Sequence, residues 1–191
     1  MILADKIAQE IMGSEYFQSL FVICMERSYY QILNLCKSIQ YKEKEYKDLL
    51  RFADLLSASS FSEARSYAYH IITFLNSSYK NEPYYRMVSK SVYYNLGNFP
   101  AVNYLTKEDC NEAVLPLDKM IQIDAKKALQ EVPNSDGIYF TDTQYDLYSG
   151  LSESREFSFS GPTSMGKSFI IGTFIKYYKI SQLIHTQSIA N

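Results

Sequence analysis

A run that contains two glycines and a lysine is the part of this sequence that most directly specifies chemistry. It comprises Gly161, Pro162, Thr163, Ser164, Met165, Gly166, Lys167 and Ser168. The spacing G-x-x-x-x-G-K-S is that of a phosphate-binding Walker A loop. Glycines allow the tight turns that direct consecutive backbone N–H groups at phosphate oxygens. Lys167 would then reach the β and γ phosphates, and the Ser168 hydroxyl would be the metal ligand, on Mg²⁺.

The residues on both sides of the loop fit this interpretation. Glu156–Ser160 alternates polar and apolar side chains as a strand does, and residues 169–178 have the pattern of a helix. Strand, loop and helix is the order in which a phosphate-binding loop is built. The alternative is a turn between two glycines whose lysine is only solvated.

Two segments resemble a known family. Residues 160–169 resemble motif I of superfamily 2 helicases, the DEAD/DEAH-type ATPases, and Phe140–Gln144 resembles their Q-motif. The resemblance implies ATP and Mg²⁺ as cofactors, a RecA-like α/β core, and nucleic acid, DNA or RNA, as the partner of the parent helicase. A primary amide can pair with the N6 and N7 edge of adenine, so Gln144 is a candidate base contact. The alternative for Gln144 is a surface glutamine that opens a helix.

The resemblance covers residues 138–178 and leaves parts of the family pattern unmatched. Tyr139 and Phe140 are the nearby candidates for the aromatic that stacks on the base. An Asp-Glu box, an arginine finger and a second RecA-like domain have no counterpart in the 191 residues. We therefore expect the N-terminal part of an ATPase, without catalytic residues of its own and inactive in hydrolysis alone.

Composition limits the environment of the protein. A formal net charge of −2 and a pI near 5.7 give no basic footprint for nucleic acid, so a basic channel would lie outside this segment. Cys24, Cys36 and Cys110 follow no metal pattern and are expected to be buried thiols in a reducing compartment. The longest apolar run, Leu20–Met25, is too short to span a bilayer. We expect a cytoplasmic protein with no membrane contact.

Helical periodicity dominates the sequence before Pro133. Apolar side chains recur at helical spacing over residues 15–38, a second helix is predicted from Glu45 to Ser57, and Ser60 with Glu63 has the spacing of a capping box that opens a third. Pro83 marks a further helix start and Gly97 its end. A last helix is predicted over 114–129, and tyrosines at core spacing, such as Tyr67, Tyr85 and Tyr93, are interpreted as packing residues.

These elements predict a mainly α chain with two parts. Residues 1–132 would form a helical accessory domain with a possible protein partner, and residues 138–191 would begin an incomplete RecA-like ATP-binding domain. The turn-forming run Val132–Gly137 would separate them. Two alternatives remain. One is a helical interaction domain fused to another class of P-loop ATPase, and the other is a helical scaffold with a non-catalytic loop.

Overall fold

The protein is mainly helical. The computed structural model describes residues 3–35, 40–99, 101–102, 115, 117–153, 156–161 and 165–177, and no strand occurs among them. The chain divides into two compact units, Met1–Met120 and Ile121–Asn191. The mainly α class predicted from the sequence is confirmed.

Among the described residues of the first unit, five helices build the core. They are α1 Leu3–Gly13, α2 Glu15–Ile32, α3 Glu43–Ser57, α4 Ser62–Tyr79 and α5 Pro83–Asn95. The helix predicted over 15–38 ends at Ile32, and Asn34 just beyond it adopts a left-handed conformation (φ 56°). The helix predicted from Glu45 begins two residues earlier, at Glu43.

The core of the first unit is made by the apolar stripes of these helices. Helix α3 is central, since it contacts the other four. The fully buried side chains are Ala8, Phe17, Cys24, Leu49, Leu50, Ala53, Leu56, Ala64, Ala68, Ile71, Ile72, Leu75 and Val92. Their recurrence at three- and four-residue steps is the helical period that the sequence shows. Burial explains why α1 to α5 form, because isolated helices of this length are marginal in water.

Tyrosine and cysteine side chains take part in this packing. Tyr85 is buried and its hydroxyl donates to the Ile72 carbonyl at 2.8 Å, while Tyr67 and Tyr93 pack, partly buried, against the core. Cys24 is a buried free thiol, as predicted, and burial raises its pKa to about 11. Cys36 and Cys110 lie outside the described residues.

The start of α4 differs from the prediction. No side chain caps this helix, whose N-cap residue is Phe61, so the capping box predicted at Ser60 is wrong. The Ser60 hydroxyl instead donates to the carboxylate of Asp5 at 3.0 Å, and the Ser60 backbone N–H donates to it at 2.8 Å. A buried carboxylate needs these donors more than an exposed helix end does. Asp5 thereby joins α1 to the turn before α4.

The end of α5 is the one that the sequence predicts. Gly97 has φ 70°, and its N–H donates to the Tyr94 carbonyl at 3.0 Å. The Asn98 N–H donates to the Tyr93 carbonyl at 2.8 Å. These two bonds make a Schellman motif, in which a left-handed glycine satisfies the last carbonyls of a helix.

The second unit contains the end of α6 Leu117–Gln130, α7 Asp142–Glu153 and a helix over 167–177, which we call α8. The turn run after α6 closes on itself, because Glu131 and Tyr139 form an antiparallel bridge and the Phe140 N–H donates to the Gln130 carbonyl at 2.8 Å. Gly137 supplies a left-handed residue within it (φ 74°). The run Val132–Gly137, predicted to separate the two parts, is thus a turn inside this unit.

The predicted strand at Glu156–Ser160 is not a strand in the structure. These residues are irregular, and the described part of the chain offers them no ladder partner. Alternating polar and apolar side chains indicate that one face of an extended segment is polar and the other apolar. A β-strand forms only when the backbone of that segment hydrogen-bonds to a second strand.

Candidate functional site

The start of α7 carries Gln144 in a fixed position. The Thr141 N–H donates to Gln144 Oε1 at 3.0 Å, and the Gln144 N–H donates to Thr141 Oγ1 at 3.3 Å. This reciprocal pair is a capping box. The structure therefore gives Gln144 the helix-opening role that was its alternative interpretation. The Thr-x-x-Gln spacing was the signal for it, and Thr141 was missed as a site-positioning residue.

Aromatic side chains hold α7 and α8 together within the second unit. Phe140 is buried, with its ring stacked on Tyr148 at 5.0 Å and 5.7 Å from the ring of Phe169. Tyr148 in turn meets Phe174 edge-on at 6.4 Å. Phe140 is thus a packing residue, and the suggestion that it stacks on a nucleotide base is wrong because both neighbours already cover it.

The predicted phosphate loop leads directly into α8. Of its residues, Gly161, Met165, Gly166, Lys167 and Ser168 are described, whereas Pro162, Thr163 and Ser164 lie outside the described residues. Gly166 is left-handed (φ 80°), and its carbonyl accepts the Ile170 N–H at 3.1 Å, which begins the helix.

The lysine of the loop closes it. Lys167 Nζ donates to the Gly161 carbonyl at 2.7 Å, so the side chain folds back from the helix start to the first glycine. The Ser168 hydroxyl is exposed in the first turn of α8. The structure therefore brings Lys167, at the start of α8, into contact with Gly161.

A side chain at either glycine position would crowd a neighbour. A Cβ at Gly161 would lie 2.8 Å from Met165 Sδ, and a Cβ at Gly166 would lie 2.8 Å from Gln144 Nε2. The flexible ends of these side chains could move aside, but the left-handed backbone of Gly166 (φ 80°) would strain any other residue. The backbone therefore requires glycine at position 166, whereas a side chain at position 161 would require Met165 to move.

Gln144 contacts the loop directly. Its Nε2 donates to the Met165 carbonyl at 3.1 Å, across 21 positions of sequence. The orientation of the amide follows from its partners, since one atom meets an N–H and the other a carbonyl. An amide has two donor hydrogens and two acceptor positions, so each end keeps one for a further partner. Gln144 can therefore open α7, hold the loop and still present a donor and an acceptor.

The arrangement suits an anion at the start of α8. The first N–H groups of a helix have no partner inside it, and the helix dipole places partial positive charge there. Lys167 adds a full positive charge beside them. A phosphate chain is the ligand that such a group of donors binds best. Ser168 is exposed next to this helix start, so its hydroxyl is accessible to a ligand.

The described residues lack two other features, a metal-binding cluster and a membrane-spanning helix. They contain no group of three or more His, Cys, Asp or Glu side chains arranged to hold a metal ion. Within the same residues, no helix combines the length and apolar character needed to cross a membrane.

Comparison with known proteins gives no relative. No family model, no curated protein and no solved structure matches this chain.

Proposed function

We propose that this chain binds ATP with Mg²⁺ through residues 161–168 and Gln144, as the N-terminal part of a superfamily 2 helicase-like ATPase. The observation that carries the proposal is the hydrogen bond from Gln144 Nε2 to the Met165 carbonyl. It brings the candidate base-reading amide into contact with the candidate phosphate loop, two segments that lie 21 positions apart in the sequence.

Each loop residue has a role in the proposed site. Gly161 and Gly166 shape the backbone so that its N–H groups converge, and Lys167 supplies positive charge. Ser168 would hold Mg²⁺, which neutralises phosphate charge when bound. Gln144 would donate to N7 and accept from the N6 amino group of adenine with the capacity that its present partners leave.

Lys167 must change partner for this to happen. Its ammonium leaves the Gly161 carbonyl and turns to the phosphates, exchanging a neutral acceptor for a charged one. Both bonds are charge-assisted because the ammonium is ionised, and the phosphate adds the attraction of a full negative charge, so the exchange is favourable. The present bond keeps Lys167 at the mouth of the loop until then.

The remaining roles follow from the resemblance. The parent helicase core would act on DNA or RNA through surfaces outside this segment, in the cytoplasm, and the helical unit would serve as an accessory domain with a protein partner. A P-loop ATPase of another class with a helical interaction domain would use the same loop without the adenine contact of Gln144.

A second candidate function is favoured by a specific observation. Lys167 and Gln144 both have partners within the protein, as expected of a helical scaffold whose loop is structural. The two candidates differ in whether Lys167 contributes to nucleotide affinity.

Calorimetry with ATP and Mg²⁺ on three variants separates them. We expect Lys167→Ala to weaken ATP binding by roughly 10- to 100-fold, because a charge-assisted bond is worth about 1.5–3 kcal/mol. Gln144→Glu retains a capping-box residue but removes the amide donor, so the preference for ATP over GTP should fall by roughly tenfold. Lys176→Ala removes a positive charge from an exposed position of α8 and is the matched control.

The same samples test turnover. We expect phosphate release at background level. The proposed roles of Lys167, Ser168 and Gln144 are to bind phosphate, Mg²⁺ and adenine, and no residue of this chain is assigned to the catalytic step. Equal ATP affinity of the wild type and Lys167→Ala, or no binding at millimolar ATP, would contradict the proposal and select the scaffold. Robust hydrolysis would contradict the expectation of an inactive chain.

A further inference from the structure

A groove lies between α2 and α4 on the surface of the first unit, remote in sequence from the phosphate loop. Phe21, Met25 and Tyr29 line it from α2, and Glu63, Tyr67 and Phe74 line it from α4, with Ser66 and His70. Its volume is about 550 Å³. That lies within the range of about 300–1,000 Å³ typical of ligand sites. We call it the α2–α4 groove.

The groove results from how the two helices pack. Helices α2 and α4 meet through aromatic side chains, with the Phe17 and Tyr67 rings edge to face at 5.3 Å. There Phe21 and Tyr67 meet edge to face at 4.7 Å, and His70 stacks on Phe74 at 5.8 Å. These ring contacts give the groove a formed wall before any partner binds.

Apolar surface continues beyond the groove along α2. Tyr29 is 52% exposed, and at the end of the helix Ile32 and Leu33 are 67% and 64% exposed. Val22 lies on the same helix and is also exposed. Large exposed apolar patches that are rimmed by polar residues mark interaction sites.

Among the described residues that line the groove, Glu63 is the side chain with a full charge. Glu63 is exposed in the first turn of α4, and no hydrogen bond or ion pair reaches it from the described residues. Glu26 is exposed on α2 next to Met25. The nearby Arg27 is turned elsewhere, with its guanidinium over the Tyr41 ring at 4.7 Å. An occupant that carries a positive charge next to apolar side chains is therefore complementary to this surface.

The dimensions favour a helix as occupant. The stripe Phe21, Met25, Tyr29 rises about 12 Å and the stretch from Glu63 to Phe74 about 16 Å, at about 1.5 Å per residue. A helix of about three turns covers that length. An amphipathic helix that lays apolar residues at i, i+4 and i+7 into a groove between two helices is a recurrent mode of recognition. A Met residue in the middle of the stripe adapts to different partners.

We propose that the α2–α4 groove binds an amphipathic helix of a partner protein, with a Lys or Arg of that helix paired to Glu63. The groove does not include the phosphate loop, so a test of ATP binding does not decide this proposal. It would give the helical unit its partner.

A library of displayed 14-residue helical peptides tests the proposal on the full chain. The peptides carry apolar residues at i, i+4, i+7 and i+11 and random polar residues elsewhere, and clones that also bind Met25→Glu are removed. We expect enriched peptides to place Lys or Arg at one fixed position relative to the apolar stripe. Tyr29→Ala, a substitution of an exposed side chain, should weaken their binding by roughly tenfold, as a truncated interface aromatic does.

Charge reversal supplies the specific readout. Glu63→Lys should weaken binding several-fold, and exchanging the peptide Lys for Glu should restore it. Glu15→Lys is the matched control, because Glu15 is likewise an exposed acid in the first turn of its helix. It should leave binding unchanged.

Several outcomes would overturn the proposal. One is that the library yields no enriched peptides. Another is that Tyr29→Ala and Glu63→Lys leave peptide binding unchanged. A third is that the enriched peptides carry no Lys or Arg at a fixed position. Light scattering that shows a dimer which Met25→Glu dissociates would assign the groove to a second copy of this chain instead. Tetramethylammonium that raises the melting temperature of the wild type but not of Tyr29→Ala, without any peptide binding, would assign it to a small cation.

Discussion

Asp5 is a charged side chain that the fold places almost out of contact with water, at 6% exposure. The backbone N–H of Ser60 and then the hydroxyl of Ser59 donate to its carboxylate, and these bonds hold its pKa below the usual value. Its position in the first turn of α1 also favours negative charge. The ionised carboxylate therefore stabilises the folded state.

This arrangement predicts a pH dependence of stability. Because the folded pKa is depressed, the contribution of Asp5 is fully present above its unfolded pKa of about 3.9 and is lost as pH falls through the lower folded value. We expect Asp5→Asn to lower the urea midpoint at neutral pH. The gap to the wild type should stay constant down to about pH 5 and narrow below about pH 4. Glu10→Gln, at an exposed carboxylate of the same helix, is the control and should change little.

A gap that does not depend on pH would contradict this role of Asp5. It would mean that the asparagine disturbs packing and that the charge itself contributes nothing.

Single residues also show where reasoning from the sequence stops. The tight turn before α8 could be predicted, because the left-handed residue that it needs at Gly166 is a local requirement that the sequence shows. The partner of Ser60 could not, since Asp5 lies 55 positions away and competes with the helix end for the same hydroxyl. The contact of Gln144 with Met165 joins segments 21 positions apart that local patterns do not pair, whereas the capping box with Thr141 is a local pattern that was overlooked.

Helix ends offer a test at the scale of the element. Gly97 ends α5 in the left-handed region, where a Cβ costs about 1–2 kcal/mol. Gly13 ends α1 without a positive φ, and a Cβ there would meet nothing within 4 Å. We expect Gly97→Ala to lower the free energy of unfolding by about 1–2 kcal/mol and Gly13→Ala to raise it by about 0.5–1 kcal/mol. Equilibrium urea denaturation measures both.

The two variants should change the free energy of unfolding in opposite directions. If Gly97→Ala were neutral, the left-handed end of α5 would not be held by the Schellman bonds, and the helix would have continued through the alanine.

Elements differ in how far their own sequence determines them. Helices α3 to α5 were predicted within a few residues and the start of α2 was predicted correctly, because helical hydrogen bonds are internal and the apolar period reports the buried face directly, but the predicted end of α2 was six residues too late. Glu156–Ser160 was predicted as a strand and is irregular, because its backbone bonds depend on another segment. The same dependence limits prediction of the candidate site, whose phosphate loop follows that segment.

At the scale of the whole molecule, the two units differ in how completely they bury their apolar side chains. The first has a continuous core formed by α1 to α5. In the second, α8 buries Ile170 and Thr173 but leaves Ile171 42% and Ile175 54% exposed, and Phe157 is 39% exposed. A helix that keeps so much apolar surface in water gains little from folding. Its local stability should accordingly be low.

Hydrogen exchange followed by mass spectrometry checks this difference. Opening free energies within one protein range from near zero in weakly packed segments to the global value in the core, so we expect amides of α8 to exchange at least about a hundredfold faster than those of α3 and α4. ATP with Mg²⁺ should slow exchange in α8 in the wild type and not in Lys167→Ala, because a ligand that binds the folded loop stabilises it by mass action. Uniformly slow exchange in a monomer, shown by light scattering, would mean that α8 is held by contacts stronger than its exposed side chains indicate.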